Sequence, residues 1–237
     1  MSVSIEELVA DLSARPRPVL CLDTCDLLDV IRGLSLRDLS HSRSFIRIEN
    51  ALNLNANSVQ IVITYLVKHE WKQNLEGVSS TVTNELRTLS KQLMLIDETR
   101  SLSRLPPIIV PELDGSGIVN GLVDLAHRVI DRSAVLEQHR TSIDHALDRV
   151  MAKRRPSHKK QIKDSIHLEH YLELARQLRS AGLNHPCLFV SSNKSDFWAG
   201  RDKTYLQFIH PDLEPDFDSS GLTFFARLEK AVRSLGI

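Results

Sequence analysis

Cysteine is scarce in this chain. It has three, Cys21, Cys25 and Cys187, in 237 residues. They form no CxxC pair, which argues against a structural zinc site and predicts buried, reduced thiols in a cytoplasmic protein. No stretch approaches the roughly 20 apolar residues that a membrane-spanning helix needs. The opening Met-Ser-Val-Ser-Ile-Glu-Glu-Leu is acidic and has no long apolar core, so no signal peptide is expected. No glycine-rich phosphate loop is present, so neither an ATP nor a dinucleotide site is expected. Nor is there an excess of either charge: Lys plus Arg and Asp plus Glu number 30 each. The bulk charge therefore points to no partner, although a local basic stripe is sufficient to hold phosphates.

What is present is an ordinary soluble composition, 42% hydrophobic and 25% charged, with strand-like and helix-like segments in alternation. Residues 4–13 predict a short amphipathic helix capped by Ser4, ended by Pro16 and Pro18. Short apolar runs at 19–23, 59–64 and 187–191 predict strands, and 205–209 an edge strand. Helical spacing follows at 27–31, 45–54, from Leu66, from Ile162 to a stop at Gly182, and at 221–235. Between 78 and 152, Leu86, Leu89, Leu93 and Ile96 share one helical face. Beyond Leu105-Pro106-Pro107, a longer near-heptad helix is predicted over 117–150, its seam interrupted by Arg132 and His139. The expected architecture is α/β: a mostly parallel sheet in a three-layer α/β/α sandwich. Its core is drawn from 1–77 and 153–237, and 78–152 is expected to form a helical hairpin inserted into a single domain.

The strand ends carry the chemistry. In a parallel sheet, ligands bind at the carboxyl ends of the strands. Asp23 ends the first predicted strand and Glu70 begins the helix after the second. Asp164 opens the helix before the third strand, and Asn193 and Asp196 follow that strand. Two carboxylates ~5 Å apart at an effective dielectric of about 20 repel by roughly 3 kcal/mol. Such a cluster takes up protons or binds a cation, and oxygen donors suit Mg²⁺ or Mn²⁺. Just before Asp164 runs Lys153-Arg154-Arg155-Pro156-Ser157-His158-Lys159-Lys160, a basic loop. His167-Leu168-Glu169-His170 has metal-pair spacing but no third ligand nearby, and reads as a surface helix face. Trp71 and Trp198 lie near the acids and read as core packing, with base stacking as the other role.

These residues resemble those of PIN-domain nucleases. Val19-Leu20-Cys21-Leu22-Asp23-Thr24, followed by an apolar helix, is similar to the opening strand of that family. Arg154 to Ile166 resembles its basic loop and third acid, and Phe189-Val190-Ser191-Ser192-Asn193-Lys194-Ser195-Asp196-Phe197 its closing strand. The resemblance spans both ends of the chain but not 78–152. It implies metal-dependent hydrolysis of phosphodiester bonds, most often in RNA, in a toxin-like setting. By its pattern Asp23, Glu70, Asp164 and Asp196 are the catalytic acids, and with Asn193 they hold one or two Mg²⁺ or Mn²⁺ ions. Asn193 stands where many members carry Asp. Arg155, Lys159, Lys160 and Lys163 would meet substrate phosphates, while Thr24 or Ser191 would position a water or ligand. The alternative is a catalytically weak module that binds RNA or protein through 78–152, which could also mediate a homodimer.

Overall fold

A computed structural model describes residues 2–107, 115–156, 162–199 and 209–237. Along the chain it forms β1 (Ser2–Val3), α1 (Ile5–Ala14), β2 (Val19–Leu22), α2 (Thr24–Arg32), α3 (Ser40–Leu54), β3 (Gln60–Thr64) and α4 (Tyr65–Leu102). There follow α5 (Gly115–Asp131), β4 (Ala134–Leu136), α6 (Arg140–Met151), α7 (Ile162–Ser180), β5 (Cys187–Val190), α8 (Lys194–Phe197), α9 (Glu214–Ser220), β6 (Thr223–Phe225) and α10 (Leu228–Ser234).

The six strands lie in the order β1-β4-β3-β2-β5-β6, and every pairing is parallel. β2 is central and buried on both faces, as an all-apolar run in a parallel sheet should be. Leu20 and Leu22 point into a core shared with α2, α3, α4, α5 and α10. Val19 and Cys21 point into a second core built on α1, α7 and α9. The period-2 alternation of the strand thus supplies both interfaces of an α/β/α sandwich. From β2 the chain crosses to β3 on one side, and β5 lies on the other. That reversal opens a crevice at the carboxyl edge of β2 and β5.

Several expectations fail locally, each for a physical reason. The helix predicted over 117–150 is broken. α5 stops at Asp131, Ala134–Leu136 joins the sheet between β1 and β3, and α6 resumes after His139. The breaks fall at Arg132 and His139, the two residues that interrupt the apolar seam. The helices predicted from Leu66 and around Leu86 are one 38-residue helix, α4, whose hairpin partner is α5. Its buried stripe of Val78, Val82 and Leu86 ends there; Leu89, Leu95 and Ile96 are exposed. The helix predicted at 221–235 is β6 followed by α10. Gly221, in the left-handed region with φ 69°, closes α9, and Thr223-Phe224-Phe225 then suits a strand. Of the edge strand expected at 205–209, residues 205–208 lie outside the described residues, and Ile209 forms an antiparallel bridge to Trp198. No helix among the described residues is long and apolar enough to cross a membrane.

Candidate active site

The loops after β2 and β3 are absent: strand runs directly into helix. Asp23 caps α2, its Oδ1 accepting the Thr24 N–H at 2.6 Å. Thr64 caps α4 through its hydroxyl, placing Glu70 in the second turn. β5 ends at Val190, and Ser191 reaches across to donate its hydroxyl to Asp23 Oδ2 at 2.6 Å. Together with α7 these ends line a cleft of about 840 Å³, whose walls include Asp23, Thr24, Glu70, Asp164, Asn193, Lys194 and Trp198. Its far end is formed by Asp29, Arg32, Asp38, His41 and Arg227.

The acids in this cleft are held very differently. Burial alone would raise the Glu70 carboxyl, but hydrogen bonds from His167 and Thr24, the His167 charge and Lys163 together bring it down to about 2. Thr24 Oγ1 donates to Glu70 Oε2 at 2.7 Å, and Lys163 Nζ lies 3.3 Å from Oε1. Asp164 is pushed the other way, to about 7, by burial and by the negative charges of Asp23, Asp196 and Glu70, against an opposing effect of His167. Asp26, fully buried on α2, is raised to about 6, chiefly by burial; its partner His41 lies 3.2 Å from Oδ1 and holds the rise back.

A sequence model of the PIN domain matches residues 20–197, about three quarters of the chain. The chain belongs to the PIN domain family. Comparison with curated proteins and with solved structures gives no match. PIN domains are typically metal-dependent nucleases that bind nucleic acid. The match runs from β2 to the end of α8, and so takes in every acid at the strand ends.

Within this PIN domain the sequence-predicted residues meet unevenly. Asp23, Glu70, Asp164 and Asn193 all face the cleft. Asp196 is buried instead, its Oδ2 receiving the Asn193 amide at 2.7 Å and the Ser195 hydroxyl at 2.9 Å. Thr24 and Ser191 do not offer their hydroxyls to the cleft. They donate them to Glu70 and Asp23, so both orient acids of the site. Lys163 is paired with Glu70, and Arg155 donates to the Ser195 carbonyl. Lys159 and Lys160 lie outside the described residues.

The reading of 167–170 as a surface face is overturned. His167, Glu169 and His170 are all buried. His167 sits between Thr64 Oγ1 at 2.7 Å and Glu70 Oε2 at 3.4 Å, so it belongs to the site. Glu169 pairs with buried Arg149, which also binds Asp216 at 2.9 Å and the Arg155 carbonyl at 2.9 Å, anchoring the segment ahead of Asp164. His170 accepts the His139 N–H at 3.0 Å. The i, i+3 spacing of the two histidines looked like a ligand pair. Its real signal was a helix with apolar residues on all sides, which is buried all round. Asp29, two turns into α2 from its cap Asp23, was the overlooked sign that acids extend along the cleft.

Among the described residues, no three His, Cys, Asp or Glu side chains stand close enough to enclose a metal ion unaided. The donor set nonetheless fits Mg²⁺ or Mn²⁺, which bind through one or two carboxylates and keep several waters. Asp164, raised to about 7 by burial and then by neighbouring carboxylates, is a carboxyl whose proton a divalent cation would displace on binding.

Proposed function

We propose that the chain is a cytoplasmic metal-dependent endoribonuclease. The observation that carries this reading is the convergence of Asp23, Glu70 and Asp164, from α2, α4 and α7, on one cleft at the switch point of the sheet. Asp23, Glu70 and Asp164 would hold Mg²⁺ or Mn²⁺, with Asn193 as a neutral oxygen donor and Asp196 behind it. A divalent ion bound there lowers the pKa of a water and offsets charge developing on a phosphate. Ser191 fixes the Asp23 carboxylate, and Thr24 and His167 fix that of Glu70, so neither acid has to reorganise when substrate arrives. Lys163 and Arg155, with Lys159 and Lys160, would meet the phosphates flanking the cut bond. On RNA the attacking group is water, and the products are two strands with the phosphate left on one of them.

The test is cleavage of labelled RNA and single-stranded DNA with Mg²⁺ or Mn²⁺, comparing wild type with Asp23→Asn and Asp164→Asn. Cleavage that requires the metal and both acids supports the reading; undiminished cleavage by both variants would sink it. One observation favours a second reading, a weakly active module that binds RNA. By the family resemblance Asn193 stands where an Asp is expected, and its amide is committed to Asp196 at 2.7 Å. Tight RNA binding without cleavage by wild type would establish that alternative.

A further inference from the structure

Arg149, on α6, is 3% exposed, and its guanidinium is held by three other segments of the chain. Nε and Nη2 donate to Glu169 Oε1 on α7, the first at 2.8 Å. Nη1 donates to Asp216 Oδ2 on α9 and to the Arg155 carbonyl, both at 2.9 Å. A buried ion pair adds little net stability, since apolar side chains of similar volume often hold a core as well. The cluster therefore asks for an explanation other than stability. We propose that Arg149 is a positioning residue of the cleft, which sets the spacing between its Asp164 and Asn193 walls. The inference rests on the reading of those walls as metal donors, and it names the group behind them that fixes their separation.

Two connections run from this one guanidinium. The first goes through α7. Asp164 and His167, three residues apart, share one face of the helix; Asp164 lines the cleft and His167 meets Glu70. At about 100° per residue, Glu169 is turned to the opposite side. Arg149 thus holds from behind the helix that presents Asp164 in front. The second connection goes through the turn after α6. Arg155, whose carbonyl Arg149 fixes, donates its own guanidinium to the Ser195 carbonyl. The Ser195 hydroxyl donates to Asn193 Oδ1 and to Asp196 Oδ2, each at 2.9 Å. Arg154 ties the same turn to Asp216 at 2.9 Å.

The shape of the guanidinium suits this task. Its planar fork meets helix, turn and α9 in one rigid geometry, whereas a lysine ammonium carries the same charge without the fork. Hard cations held by few protein oxygens tolerate little error in where those oxygens stand. Groups that orient metal donors from behind change metal affinity or activity by roughly 10–100-fold when removed.

The experiment measures Mn²⁺ binding to the whole chain by calorimetry without RNA, beside chemical denaturation and RNA cleavage. The variants are Arg149→Lys, the double variant Arg149→Met/Glu169→Leu, and Arg155→Ala. The double variant leaves Asp216 paired with Arg154 and replaces the buried pair by apolar side chains, so its denaturation midpoint should stay close to that of wild type. Its Mn²⁺ dissociation constant should nonetheless rise at least about tenfold, and its loss of cleavage should fall on kcat more than on KM. Arg149→Lys should lie between the two. Arg155→Ala should also weaken Mn²⁺ binding, which a residue that only met substrate phosphates would not do in the absence of RNA. It carries the test by itself should the double variant unfold. Wild-type Mn²⁺ affinity in Arg155→Ala, or in a double variant as stable as wild type, would overturn the positioning role and leave the nuclease reading in place. Weakened Mn²⁺ binding in the variants of a protein that cuts nothing would uphold the positioning role and remove the nuclease reading.

Discussion

The two sides of the cleft keep their carboxylates by opposite means. On the β2–β3 side, Asp23 and Glu70 each receive donors from remote parts of the chain. Ser191 comes from beyond β5, and His167 and Lys163 come from α7. On the α7–β5 side, Asp164 is buried among other negative charges, which His167 offsets only in part. Its neighbours Asn193, Ser195 and Asp196 spend their hydrogen bonds on one another. The first side is ordered by hydrogen bonds from the chain itself. On the second, Asp164 keeps a proton up to about pH 7. Under the proposed function the first half of the site is preorganised and the second depends on a bound cation, and each half can be broken separately.

The largest effect is expected at Asp23. It is the acid shared by both sides, since it is fixed by Ser191 and is the leading negative neighbour of Asp164. Asp23→Asn should lower metal-dependent cleavage by at least about 100-fold, because it removes several kcal/mol of charge stabilisation. Asn still accepts the Thr24 N–H, so the fold should persist. Thermal denaturation with and without Mn²⁺ is the companion measurement. Wild type should gain stability with the ion and the variant should not; an equal gain in both would place the ion elsewhere.

The next effect is a contrast in sign with pH. Asp164 has its folded pKa raised from an ordinary 3.8 to about 7. Between those values the folded state binds more protons than the unfolded one, so metal-free stability falls as pH rises across that window. Asp164→Asn should flatten this limb of a denaturation series from pH 4 to 8. Mn²⁺ should stabilise wild type more at pH 8 than at pH 5, with protons released on binding. Glu70 does the reverse. Its pKa is depressed from 4.5 to about 2, so it contributes stability above pH 4.5 that is lost as pH falls towards 2. Glu70→Gln should flatten that acid limb and cost about 1–2 kcal/mol near neutrality, by leaving His167 and Lys163 with a neutral partner. Two slopes of the same sign would dissolve the contrast between the two sides.

How far the sequence carried this picture depended on which force governed each residue. β2 and β5 were legible because strands buried on both faces must be continuous apolar runs. Asp23 and Asp164 were legible because their positions at strand and helix ends are local facts. β4 was not: three residues, Ala134–Leu136, become a strand only because β1 and β3 lie on either side, and pairing of that kind leaves no local trace. His167 was missed for a related reason. Its role comes from Thr64 and Glu70, about a hundred residues earlier in the chain. Thr24 and Ser191 were picked out as site residues, but their donation to Glu70 and Asp23 was not legible, since only tertiary contact decides which carboxylate a hydroxyl meets.

The smallest effect, and the finest test of the comparison, lies at Asn193. Its amide gives Asp196 a donor at 2.7 Å, so this neutral residue quiets a buried carboxylate next to Asp164. Asn193→Asp deletes that donor and sets a second carboxylate against the first. Without metal at pH 8, where Asp164 is also ionised, the variant should lose about 1 kcal/mol of stability, because a buried carboxylate exchanges one of its donors for a second negative charge while keeping that of Ser195. With Mn²⁺ the same extra charge becomes an additional hard ligand, so the ion should bind more tightly and recover the loss. At pH 5, with Asp164 protonated, the metal-free deficit should shrink. The expected signature is thus a variant worse than wild type without the ion at high pH and at least equal to it when the ion is bound. A deficit that ignores both pH and Mn²⁺ would mean that Asn193 serves only to pack the turn into α8, and that the α7–β5 side does not depend on a cation.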